Sequence, residues 1–266
     1  MRRLIAALVS VSAAAVATAS PTETAPTAPS VPSVPMLAPA PAAEAVSPER
    51  LRLATKLIDL LHPDQVSIDA NMRGWEIGMR KLLASDPSFV KLEGTYPGVS
   101  NAALEGARPV ATDFAREYVR NVKALKSRIF ANRLTPSELQ QAIAFFEKPV
   151  GQKFARQMAE RANPNAVFDK VKARSGEGIA DLKVSDFQGE TRKTAVKIVG
   201  DMSPSETLEV MRFGTLPVST KFAAAGQEAE AGILDLLKNI DPKWRERQQA
   251  AVEKAAVSFI DQKPQK

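Results

Sequence analysis

The sequence predicts an all-α protein, a multi-helix globule built on two tandem helix–corner–helix repeats and preceded by a Pro/Ala-rich tether. Three observations carry this. The segment 135–155, TPSELQQAIAFFEKPVGQKFA, returns without a gap 68 residues later at 203–223 as SPSETLEVMRFGTLPVSTKFA. Nine of the 21 paired positions are identical (Pro136/Pro204, Ser137/Ser205, Glu138/Glu206, Phe145/Phe213, Pro149/Pro217, Val150/Val218, Lys153/Lys221, Phe154/Phe222 and Ala155/Ala223), against about one or two by chance. Apolar residues elsewhere recur at helical spacing behind cap-plus-proline starts. The chain has no cysteine, so no disulfide framework replaces a packed helical core.

From the N-terminus, Arg2 and Arg3 precede an apolar run over residues 4–16 and the sequence Ala17, Thr18, Ala19. A positive flank, a short hydrophobic stretch and an A-x-A site are the pattern of a secretory signal peptide, residues 1–19. The expected destination is the periplasm or beyond. The run is shorter than the ~20 apolar residues of a membrane span, and no later segment approaches that length. Residues 20–47 hold prolines at 21, 26, 29, 32, 35, 39 and 41 and only Glu23 and Glu44 as charges, a composition expected to form an extended, disordered spacer. The folded part is expected over residues 48–262.

Ser47 and Pro48 start a first helix, with Leu53, Leu57, Leu60 and Leu61 on its apolar face and its end near His62 and Pro63. A second runs from about 64 to 84; Gly74 and Gly78, four apart on it, imply a close helix crossing that offsets their low helix propensity. Residues 85–101, SDPSFVKLEGTYPGVSN, show no periodicity and are expected to be a loop, with Tyr96 available either to line a pocket or to pin the loop to the surface. A long helix from about 108 to 132 carries the stripe Ala111, Phe114, Tyr118, Val122, Leu125 and Ile129. Arg116, Arg120, Lys123, Lys126, Arg128 and Arg133 are placed on its remaining surface, against Asp113 and Glu117. This bias makes either a solvated face or an electrostatic docking surface.

The two repeat units are expected over about 109–163 and 177–237. In each, Thr135 or Ser203 is an N-cap, Pro136 or Pro204 takes the first helical position, and Glu138 or Glu206 completes a capping box. The helix runs about eleven residues and ends before Pro149 or Pro217, which starts the next helix. Lys153 and Lys221 are the one identity that capping and packing do not explain, since a lysine early in a helix opposes the macrodipole. They suit either a reach to the carbonyls of the preceding helix or an anion-binding ammonium. Between the copies a helix is expected from about Asn165 and another over about 185–199. A last helix starts at Asp241 and Pro242 and carries Trp244, Val252, Ala255 and Phe259.

The stretch LTPSELQQAIAFFEKPVGQKF resembles the signature of a secreted bacterial family, domain of unknown function 2059. Its members show an acidic-capped helix, a Phe–aromatic pair and a small-residue–Pro–x–Gly–x–Lys turn. Phe145, Phe146, Pro149, Gly151 and Lys153 stand at those positions. Lys148 replaces the usual Ser or Thr before proline, and the second copy has Gly214 and Ser219 where the first has Phe146 and Gly151. The resemblance implies an exported helical fold; the family has no established activity or site to carry over.

The available chemistry is narrow. With His62 as the one histidine and no cysteine, the usual zinc cages, Cys–His nucleophiles and attached haem are excluded, and no cofactor or metal is expected. Paired-carboxylate glycan hydrolysis needs only Asp and Glu, yet no spacing singles out two among Glu76, Glu93, Glu105 and Glu147. No residue carries a catalytic expectation. Cleavage after Ala19 leaves a net charge of +4, mildly favouring an anionic partner; an exported location makes nucleic acid an unexpected one. The first reading is therefore a non-catalytic interaction module of the cell envelope, docking an envelope protein, a wall polymer or an anionic lipid surface. Arg116, Arg120, Lys123, Lys153, Lys221 and Tyr96 are its candidate contacts. The alternative is a carrier of an apolar ligand in a cavity lined by Trp75, Phe145, Phe146 and Phe213.

Overall fold

Proline sets the punctuation of this fold. The computed structural model describes residues 46–161 and 183–262, within which there are ten α-helices and no strand. They are α1 (Pro48–Leu61), α2 (Asp64–Ser85), α3 (Pro87–Thr95), α4 (Val99–Arg133), α5 (Pro136–Phe146), α6 (Pro149–Glu160), α7 (Val184–Gly200), α8 (Pro204–Gly214), α9 (Pro217–Lys238) and α10 (Pro242–Asp261). Seven of the ten begin on a proline, where the missing amide is one no helix would have bonded. Ser47, Asp86, Thr135, Ser203 and Asp241 cap their helices by accepting backbone amides. The expected signal peptide, nearly all of the tether and the helix expected from about Asn165 lie outside the described residues.

Helix α4, 35 residues long, is the spine. Its N-terminal half supplies Val99, Ala103, Leu104, Ala107 and Ala111 to a core shared with Trp75, Met79 and Leu83 of α2 and Val252 and Ala256 of α10. Its middle supplies Tyr118 and Val122 to a second cluster with Ile233, Leu234 and Leu237 of α9. Its C-terminal end places Ile129 and Phe130 in the largest core, with α1, α5, α6, α7 and α9. Trp75 and Phe146 therefore occupy different cores.

Two expectations are corrected here. Residues 85–101 are not a loop: Asp86 accepts the amides of Ser88 and Phe89 at 2.8 and 3.2 Å and starts α3. The chain then turns at Gly98, whose φ of 97° is the one left-handed glycine among the described residues. Gly98 caps α4 without a side chain, and Glu93 does that work from α3. Its carboxylate accepts the Gly98 and Ser100 amides at 2.7 and 2.9 Å, and these bonds hold it below the ordinary carboxylate range. Secondly, α4 starts at Val99 rather than near Arg108, with Pro109 inside it. A mid-helix proline removes one hydrogen bond; burial of Val99, Ala103, Leu104 and Ala107 outweighs that loss.

The two similar segments adopt the same local structure. Thr135 and Ser203 both close capping boxes, and α5 and α8 are each 11 residues long. At the corners, Glu147 donates to the Ile143 carbonyl and Lys148 to that of Phe145, as Thr215 donates to Met211 and Leu216 to Phe213. The segments then face each other reciprocally. Phe145 stacks on its own counterpart Phe213 at 4.3 Å and 11°, α4 packs on α9, and α7 packs on α6. Lys153 donates to Glu206 at 2.8 and 3.0 Å, while Lys221 pairs with Glu138 at 2.7 Å. A contact in which residue i meets j while the counterpart of i meets the counterpart of j is isologous, as in a two-fold dimer, but here within one chain.

Each capping glutamate thus serves two masters: it closes its own helix start and takes the lysine of the other segment. The Lys153 hydrogen bond, followed by those from Ser203, lowers Glu206 to about 2; the Lys221 bond likewise lowers Glu138. Because the folded pKa lies below the unfolded one, this stabilisation is complete above about pH 4.5 and is lost as pH falls toward 2. NMR titration of Glu206 is expected to give a midpoint near 2 that rises in Lys153→Met; an unmoved midpoint would show that capping alone sets it.

One of the positions at which the two corners differ is Gly151, opposite Ser219 in the later segment. A Cβ on Gly151 would lie 2.4 Å from the Phe145 carbonyl oxygen and 2.7 Å from the Phe146 Cα, both backbone. In the second copy Ser219 fits, donating to the Gly214 and Leu216 carbonyls at 2.7 Å. We expect Gly151→Ser, which imports the second copy's residue, to lower stability by about 1–3 kcal/mol. Ser219→Gly should change it by less than about 1 kcal/mol, both read from urea midpoints.

Candidate functional site

The helix with the strongest charge bias in the sequence also forms one wall of a groove. Leu51 and Thr55 of α1, Asp64 and Ile68 of α2, and a strip of α4 from Arg116 to Arg128 enclose about 570 Å³. Three features of the sequence place these walls. Arg50 ties the start of α1 to the end of α4 through the Leu134 and Asn132 carbonyls, at 2.8 and 3.1 Å. Pro63 then turns the chain into α2, and Lys123 clamps the junction between Asp59 and Asp64, each at 2.5 Å. Burial opposes the Lys123 ammonium, but those two hydrogen bonds outweigh it and hold its pKa above that of an ordinary lysine.

Of the expected contacts, Arg116, Arg120 and Lys123 all line this groove, joined by Arg128. Their roles differ. Lys123 is neutralised at the α1–α2 corner. Arg116 reaches Asp113 only at 3.5 Å, with both side chains more than half exposed. Arg120 and Arg128 are exposed, and among the described residues neither has a carboxylate within ion-pair distance. Successive positions 116, 120, 124 and 128 are four apart, hence on one helical face, and Val119 joins Leu51 and Ile68 in the apolar floor of the groove.

The other expected contacts are elsewhere. Lys153 and Lys221 neither cap carbonyls nor stand free for an anion: they are consumed by the reciprocal pairing with Glu206 and Glu138. Tyr96 packs onto the α2–α3–α4–α10 core, separated from Arg116 by some 25 Å of α4 at ~1.5 Å per residue. Phe145, Phe146 and Phe213 do come together, but ring against ring, with Phe222 completing the set at 5.6 Å from Phe146; Trp75 belongs to another core. These four residues do not frame one cavity.

The four candidate carboxylates for glycan hydrolysis each have a partner in the fold. Glu76 pairs with Arg80 and Arg108, Glu105 with Arg108, Glu147 with Lys56, and Glu93 caps α4. Among the described residues no group of three or more His, Asp or Glu is placed to hold a metal ion. No described helix is long and apolar enough to cross a membrane.

Behind the groove, Lys126 corrects another expectation. It is not on the surface but 5 % exposed, and its Nζ sits 2.7 Å from Nε2 of His62. Burial lowers its pKa to about 8, against the opposing field of Glu230. Burial, followed by the charges of Lys126 and Lys123, pushes His62 well below its ordinary value, so the imidazole is neutral and Lys126 donates to it. Burial likewise raises Glu230. Lys126 lies four positions beyond Val122 and three before Ile129, both on the predicted apolar stripe; that register was the signal for its burial.

Residues 122–163, which run from the last third of α4 through α5 and α6, match the model of a family described as an uncharacterized protein conserved in bacteria (DUF2059). This supports the resemblance drawn from the corner motif. No curated protein and no solved structure matches the chain.

Proposed function

We propose that this is an exported, non-catalytic interaction module of the cell envelope that docks an anionic partner in the α1–α2–α4 groove. The observation that carries the reading is the contrast between two kinds of charge. At the segment corners, the α1–α2 junction and the Glu76–Arg108 cluster, cations and carboxylates neutralise each other. At the groove, Arg120 and Arg128 remain uncompensated among the described residues, beside an apolar floor of Leu51, Ile68 and Val119. Exposed like-signed charge next to an apolar trough steers and then holds an oppositely charged partner. Export rests on the N-terminal pattern of Arg2, Arg3 and Ala19.

Cell fractionation is expected to recover the chain in the periplasmic extract, shortened by its first 19 residues. On isolated envelopes at low ionic strength the native chain should be retained and released by moderate salt. Arg120→Glu with Arg128→Glu should lower retention about tenfold or more. Equal retention of the two proteins would remove the groove from the reading.

A further inference from the structure

The groove also indicates what kind of anion it takes. Arg116 and Arg128 are twelve residues apart, about 18 Å along α4, with Arg120 between them. The cations therefore form a line rather than a cluster. A phosphate headgroup is held by donors that converge on one point, whereas these side chains are set along about 18 Å of helix. A line of cations at four-residue spacing, parallel to an apolar floor, is instead the complement of a helix bearing carboxylates at i and i+4 beside an apolar stripe.

We propose, resting on the docking reading above, that the occupant is an acidic amphipathic helical segment of a partner protein. Its apolar stripe lies on Leu51, Ile68 and Val119, and its carboxylates meet Arg116, Arg120 and Arg128. The helix enters over the exposed α1 and α4 rims, and its affinity weakens as salt rises.

The test uses the full mature chain and two fluorescent peptides of about 21 residues, long enough to span the line of cations with a turn to spare at each end. Both carry one leucine stripe; one has glutamate at every fourth position and its twin has lysine there. Anionic phosphatidylglycerol vesicles are the third probe. The glutamate peptide should bind at least about tenfold more tightly than the lysine twin. Arg120→Glu with Arg128→Glu should abolish that preference, and Arg120→Gln with Arg128→Gln should reduce it part way, with unchanged circular dichroism showing that both variants fold. Equal binding of the two peptides, or glutamate-peptide binding indifferent to the arginines, overturns the proposal. Arginine-dependent binding of vesicles without peptide binding overturns the helix but leaves an anion-docking groove. If neither anionic probe responds to the arginines, the docking reading falls as well.

Discussion

Phe146→Ala is expected to lower the stability of the fold by about 3–5 kcal/mol, measured by chemical denaturation. Phe146 is 3 % exposed and meets Phe145, Phe213 and Phe222 with ring centroids 4.9, 5.7 and 5.6 Å away. Removing the ring opens a cavity where the two facing segments join, and the surrounding rings are too rigid to collapse into it. The counterpart of Phe146 is Gly214, which is exposed and has no atom within 4 Å of where its Cβ would stand. Gly214→Ala should therefore leave stability within about 0.5 kcal/mol, or raise it slightly through helix propensity. A mild loss in Phe146→Ala would mean that the segments are held together by something other than this ring cluster.

Stability is expected to rise with pH above neutrality because of Lys126. With a folded pKa of about 8 against about 10.4 unfolded, the unfolded chain binds more protons between those values, so stability increases across that interval. The full effect corresponds to about 3 kcal/mol. Below pH 8 both states hold the proton and the burial penalty is fully present. Relative to Lys126→Met, which carries no titrating group there, the native chain should gain that amount between pH 8 and 10.5. A difference that stays flat with pH would place the Lys126 ammonium in contact with water or a carboxylate. His62 acts in the same direction at lower pH: its depressed pKa means that stability falls as pH drops through about 6.5, where only the unfolded chain takes up the proton.

Helix starts were legible because they are local chemistry. A Ser, Thr or Asp followed by proline identifies α1, α5, α8 and α10 from two residues each, and the boundaries follow closely. Asp86 and Pro87 carry the same signal for α3, but that helix buries only Phe89, so it has no periodicity to confirm the start. The opposite failure occurs at Pro109, where a strong local signal for a boundary is overridden by tertiary burial of the turns before it. The site was half legible. Charge bias located Arg116, Arg120 and Lys123 on one helix, but the opposing wall of Leu51 and Ile68 depends on how α1 and α2 fold back. Lys153 and Lys221 were visible as unexplained identities, and their partners Glu138 and Glu206 as identities already assigned to capping. When both members of a possible pair are identical in both copies, partners can be exchanged between copies. That possibility is written in the alignment of the chain with itself, whereas the facing geometry that realises it is not.

Docking in the groove is tested most directly by a photo-crosslinking residue at Thr55, on its exposed wall, in the native host. A second chain carries the same residue at Glu246, on α10. The expected result is a discrete adduct from position 55, absent from position 246 and lost in Arg120→Glu with Arg128→Glu, whose crosslinked component is acidic. Adducts of equal yield from both positions, or an adduct from position 55 that survives reversal of the arginines, would contradict a charge-guided docking groove.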